Sequence, residues 1–163
     1  MPRTVAINKQ SAGLLLFRKA GVVLQVLLGH PGGPFWSKKD SGAWTIPKGL
    51  VGRDEPPLMA AKRVFWEETG YHPRGDCVSL GHAKQAGGKI VHVWAVEEDW
   101  DVAQLRSNVF EMEWPPKSGR RQSFPELDRA EWFQVSEARQ KILKGQAVFI
   151  DRLLEALGQT EVG

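Results

Sequence analysis

One helix in this chain is marked at both ends by its own residues. Asp54-Glu55 stand before Pro56-Pro57. Proline tolerates the first helical turn, and carboxylates suit the positive end of the dipole. Gly70 then supplies a left-handed stop after Glu68-Thr69. Between these signals Leu58, Ala61 and Phe65 make an apolar stripe at helical spacing. The spacing therefore predicts an amphipathic helix entered from a loop that begins near Gly49.

Strand patterns flank it. Ser11–Arg18 (SAGLLLFR) and Val22–His30 (VVLQVLLGH) read as buried partners joined by a turn at Lys19-Ala20-Gly21. Pro31 to Gly42 is a loop, and Trp44–Ile46 a short strand stopped by Pro47. Further strands are expected near Cys77–Gly81, Ile90–Val96, Val109–Trp114 and Trp132–Val135. Pro115 to Pro125 reads as a basic loop, and Ser136–Leu143 and Ala147–Leu157 as helices. Strands, one helix, strands, then helices point to an α/β fold with a mixed sheet between helical layers.

Composition narrows the class. The chain has 163 residues, 42% hydrophobic and 25% charged, which is globular rather than disordered. We expect one domain over residues 1–163. Cys77 is the single cysteine, so no internal disulfide forms. No apolar run reaches the length of a membrane span, and Met1 to Gln10 lack an apolar signal core, so a cytoplasmic location is expected. No His/Cys spacing suggests zinc. Net charge is +3, unevenly spread: the first fifty residues hold seven Lys and Arg against Asp40 alone, and the remainder is net acidic. That asymmetry suits an anionic ligand held between lysines and a metal-binding acidic surface, and equally suits ordinary solvated charge.

Glu67 and Glu68 close the helix. At about 100° per residue, positions 64, 67 and 68 share one sector, away from Leu58, Ala61 and Phe65. Two adjacent carboxylates beside a glycine-containing loop suit a hard divalent cation, which takes oxygen ligands, waters and substrate phosphates. Arg63, four residues before Glu67, is placed to orient it by an ion pair.

The stretch Gly49–Tyr71 (GLVGRDEPPLMAAKRVFWEETGY) resembles the signature of the Nudix hydrolase family. Gly49, Glu55, Arg63, Glu67, Glu68 and Gly70 fall in register with that signature, with Phe65 and Tyr71 at its apolar positions. The resemblance implies a Nudix-type α/β/α sandwich and hydrolysis of a pyrophosphate bond in a nucleoside diphosphate linked to another moiety. It implies Mg²⁺ (or Mn²⁺) held by Glu67, Glu68 and Glu55 together with the backbone at Lys48 and Gly49. Arg63, Glu67 and a general base form the catalytic set.

One position departs. Val64 stands where the signature has Glu, often the base. Valine neither accepts a proton nor ligates a metal. Either the base comes from elsewhere, with Glu111, Glu113 and Glu126 as alternatives and Glu126 taken here, or the chain is an impaired member that binds nucleotide or RNA without turnover. Trp44-Thr45-Ile46-Pro47-Lys48-Gly49 is similar to the Pro-Lys-Gly variant found in dinucleoside and diphosphoinositol polyphosphate hydrolases. Dinucleoside polyphosphates or nucleoside triphosphates are therefore the expected substrates. Lys48, Lys39 and Trp36 are the expected substrate contacts, since aromatic faces stack bases and lysines hold phosphates. The partner is a nucleotide-type small molecule, with nucleic acid less favoured, no membrane, and a monomer or homodimer.

Overall fold

A computed structural model describes residues 10–159. The reading of the N-terminal segment and the two ends of the expected domain lie outside the described residues. Strand β1 (Gln10–Ala20) is central. It pairs antiparallel with β2 (Val23–Pro31) and with the three-residue β3 (Lys48–Leu50), and parallel with β5 (Ile90–Glu97). β4 (Cys77–Lys84) extends the sheet beyond β5, and β8 (Leu127–Gln134) extends it beyond β2. A separate hairpin of β6 (Val109–Glu113) and β7 (Arg121–Pro125) stands apart.

The unbroken apolar run of β1 has a simple cause: the strand is covered on both faces. Leu14 and Leu16 join α1 (Pro57–Thr69) through Ala60, Ala61 and Phe65. Leu15 and Phe17 point the other way, toward α2 (Val135–Lys141) and α3 (Val148–Ala156) through Ala138, Phe149, Ile150 and Leu153. The expected α/β/α sandwich around a mixed sheet is thus the observed architecture. Among the described residues no helix is long and apolar enough to cross a membrane.

The helix ends fall where their residues place them. Pro57 lies in the first turn, and Gly70 caps the helix at φ 79°, donating its N–H to the Trp66 carbonyl. Several boundaries differ from expectation. The first turn is Gly21-Val22, because β1 runs on to Ala20. Trp44 and Thr45 make only isolated bridges, to Ile142 and Gly29. The basic loop is shorter than expected, since Arg121–Pro125 pairs with β6, and β8 starts five residues before Trp132. The buried stripe of α1 also takes in Ala60 and Val64, while Leu58 is only half-buried.

Candidate active site

The loop from β3 to α1 is tied to the helix by Arg63. Its guanidinium donates to both oxygens of Glu55 (Nε–Oε2 2.9 Å, Nη2–Oε1 3.0 Å) and to both oxygens of Glu67 (3.1 Å each). Nη2 also reaches the Leu50 carbonyl at 2.9 Å. Five donors in a planar fork allow one side chain to join strand, loop and helix in this way. Glu55 lies outside the helix, and its Oε1 also accepts the Gly52 N–H at 2.8 Å. Arg63, with that N–H, holds the Glu55 carboxyl below the usual carboxylate range. The ion pair expected between Arg63 and Glu67 is present, with Glu55 as its second partner.

Glu68 has a different environment. Burial, then the neighbouring charges of Glu126 and Glu67, push its carboxyl up to about 8. The Lys48 side chain and its backbone N–H act in the opposite direction. Lys48 is itself lowered, mainly by burial and further by Lys89, while Glu68 supports its charge. A half-buried carboxylate faced by more negative than positive charge favours either a proton or a bound cation.

The sector expected to face solvent at positions 64, 67 and 68 is divided by β3. Val64 is 3% exposed. A Cβ built on Gly49 would stand 2.9 Å from Val64 Cγ2 and 3.0 Å from Cγ1. Gly49 therefore lets the strand come down onto Val64. Glu67 stays half-buried beside Arg63.

Of the three acids considered for the base, Glu126 is the one whose charge acts on Glu68. It occupies the bend between β7 and β8. Glu111 pairs with Arg121 at 3.4 Å, and Glu113 accepts the Gly119 N–H at 2.7 Å, both on the exposed hairpin. The structure thus brings Lys48, Gly49, Glu55, Arg63, Glu67, Glu68 and Glu126 together. Lys39 and Trp36 are not among them. Trp36 packs on the α2–α3 core, with Lys39 Nζ 5.3 Å from its ring centroid. Lys39 also lines a cavity of about 410 Å³ with Trp44, Arg129 and Lys141 on that face. Lys89, next to the Gly87-Gly88 turn, adds a second positive charge near Lys48.

Among the described residues no three His, Cys, Asp or Glu side chains close into a ready-made metal ligand group. The donor set still fits magnesium, which is usually held by one or two carboxylates and completed by waters and substrate phosphates. Glu67 and Glu68 can supply the carboxylates, and the excess of acid around Glu68 favours the added positive charge.

A mixed sheet between two helical layers, with this loop–helix packed on one face of its central strand, defines a Nudix fold. The family model for the NUDIX domain matches residues 7–153, and the chain belongs to the Nudix hydrolase family. An Ap4A hydrolase of C. elegans, in a binary complex, has a similar fold: TM-score 0.65, 20% identity, 91% of this chain and 98% of that chain covered. The NUDIX domain of Shewanella oneidensis NrtR, complexed with ADP ribose, gives 0.64 at 17% identity, covering 92% and 88%. An RNA pyrophosphohydrolase of Psychrobacter cryohalolentis is 40% identical over 50 residues. That match takes in 30% of this chain and 29% of the relative's length.

Proposed function

We propose that this chain is a pyrophosphohydrolase acting on a nucleoside diphosphate linked to another moiety, with Mg²⁺ or Mn²⁺. Dinucleoside polyphosphates and nucleoside triphosphates are the favoured substrates. The observation that carries the reading is the pairing of an Arg63-clamped Glu67 with a half-buried Glu68 that lies beside Glu126 and Lys48. The named relatives, an Ap4A hydrolase and an RNA pyrophosphohydrolase, support the substrate class.

When bound, a divalent cation would supply polarisation of a phosphoryl oxygen and a more acidic water. Glu67 and Glu68 would hold it, with the backbone at Lys48 and Gly49 and, through its position on Arg63, Glu55. Arg63 fixes the Glu67 carboxylate, so this ligand needs no reorganisation when substrate arrives. Lys48 holds a substrate phosphate as a point charge. Glu126 takes the proton of the attacking water onto a carboxylate oxygen, the role that Val64 cannot fill. Residues 1–163 then act as one domain in the cytoplasm, as monomer or homodimer.

The test is turnover of dinucleoside tetraphosphate, nucleoside triphosphate, ADP-ribose and 5′-triphosphorylated RNA with each metal. Glu67→Gln and Glu68→Gln should abolish it. Glu126→Gln should lower kcat about 10²–10⁴-fold, the usual worth of a general base, and flatten the pH profile. Val64 favours a second reading, a nucleotide-binding protein without catalysis. Metal-dependent binding of the same compounds without turnover of any would establish it.

A further inference from the structure

The β6–β7 hairpin is rooted in the acid cluster. At its neck the Asn108 N–H donates to the Glu67 carbonyl at 2.8 Å, and the Asn108 carbonyl accepts the Glu126 N–H at 2.9 Å. The Glu126 carbonyl in turn accepts the Gly32 N–H at 3.0 Å. Leu127 N–H is held by Ser107 Oγ at 3.0 Å. One face of the hairpin lies on the loop after β2. Phe110 packs with Phe124 at 5.9 Å and covers Gly33, and Gly32 approaches the Pro125 carbonyl so closely that no side chain fits there.

The outer end carries an aromatic ledge. Phe35 meets Trp114 edge to face at 5.5 Å and 79°, and Phe35 remains 60% exposed. Lys117 and Arg120 are exposed on the turn that follows Trp114, whose N–H donates to the Arg120 carbonyl at 2.9 Å. Residues 115–125 contain no acid. The nearby acids of β6 are engaged, Glu111 by Arg121 and Glu113 by the Gly119 N–H. Trp114 lies six residues along an extended strand from Asn108. Val109–Glu113 is extended, so at about 3.3 Å per residue the ledge stands ~20 Å from the neck. A mononucleotide whose phosphates rest on Lys48 does not reach that far. A second base on a polyphosphate or polynucleotide chain does.

We infer that the β6–β7 hairpin and Phe35 form a distal subsite for a nucleobase carried on a polyanionic chain beyond the scissile phosphate. This rests on the hydrolase reading above and names the far part of its substrate. The base stacks on the exposed Phe35–Trp114 ledge, and Lys117 and Arg120 follow the phosphates. A dinucleoside polyphosphate and the 5′ end of a single-stranded RNA share this chemistry.

The experiment compares wild type, Phe35→Ala, and Lys117→Ala/Arg120→Ala on three substrates: a nucleoside triphosphate, a dinucleoside tetraphosphate and a 5′-triphosphorylated oligonucleotide. Phe35→Ala should lower the ratio of kcat/KM on an extended substrate to that on the triphosphate about tenfold, through KM. Anisotropy of the labelled extended ligands in EDTA gives a second readout without turnover. There Phe35→Ala should weaken binding about tenfold, and each lost cation should reduce the salt slope by about 0.7. The extended ligand that loses more identifies the source of the base. Equal effects on compact and extended substrates, or binding indifferent to all the variants, would overturn the subsite. Hairpin-dependent binding with no turnover of any substrate would retain the subsite and overturn the hydrolase reading instead.

Discussion

Replacing Glu68 by Gln should make the metal-free protein more stable at alkaline pH and leave it nearly unchanged in acid. Burial and the charges of Glu126 and Glu67 raise the Glu68 carboxyl from 4.5 to about 8. Below pH 4.5 it is protonated in both folded and unfolded chains, so its titration costs nothing. Between 4.5 and 8 the unfolded chain has released this proton while the folded chain keeps it, so stability falls as pH rises. Above 8 the loss is constant. At about 1.4 kcal/mol per pH unit, the ceiling over the whole window is ~5 kcal/mol. The part lying between pH 6 and 9 is at most ~3 kcal/mol. Glutamine fills similar space without a charge and should remove this slope. The assay is urea unfolding in EDTA at pH 6 and pH 9, followed by tryptophan fluorescence. The wild type should lose 1–3 kcal/mol more than Glu68→Gln across that range, on the order set by the same linkage. Mg²⁺ at pH 9 should restore the wild type, because a ligand that binds only the folded state stabilises it, and should restore Glu68→Gln much less. Parallel pH dependence in the two proteins would refute the claim that Glu68 is a half-buried acid that Lys48 only partly compensates.

Arg63→Lys cannot reproduce the fork that reaches Leu50, Glu55 and Glu67 together. Misplacing Glu67 by an ångström should cost about 10²-fold in kcat, while urea midpoints move little because these pairs are partly exposed. Gly49→Ala drives a methyl to within 3.0 Å of both Val64 methyls, which should cost about 1–3 kcal/mol by overpacking. Val64→Ala in the same chain should recover part of that loss, and a double-mutant cycle with no coupling would contradict the contact. Val64→Glu places an acid at a position 3% exposed beside an already acidic site, so metal-free stability should drop by several kcal/mol, on the order of other unpaired buried charges. Its kcat should not rise if Glu126 takes the proton; a gain of tenfold or more would move the base to position 64.

The parts of this molecule legible in the sequence are those whose cause is local. Helix α1 announces itself through Pro57 at one end and Gly70 at the other, and both sit where the physics of helix ends puts them. The apolar run of β1 discloses burial on two faces, which in turn requires helices on both sides. What the sequence hides is pairing at a distance. Lys48-Gly49-Leu50 shows no strand pattern, yet it pairs with Ser11–Gly13. Arg121-Gln122-Ser123 has no apolar alternation, and its strand exists only because Met112, Glu111 and Glu113 stand opposite.

The same distinction separates the legible from the illegible half of the site. A helical wheel fixes the angles of Val64, Glu67 and Glu68 on α1, and it correctly places Arg63 against Glu67. It says nothing of what stands opposite each angle. β3 supplies that: its Gly49 accepts Val64 against the backbone, and Lys48 comes alongside Glu68. Glu126 arrives beside Glu68 through backbone bonds to Asn108 and Gly32, partners remote from the helix in sequence. A valine in place of the acid therefore need not empty the site of a base. On the proposed reading Glu126 supplies the acid across space from the neck of the hairpin, held there by main-chain hydrogen bonds that leave no mark on residue type.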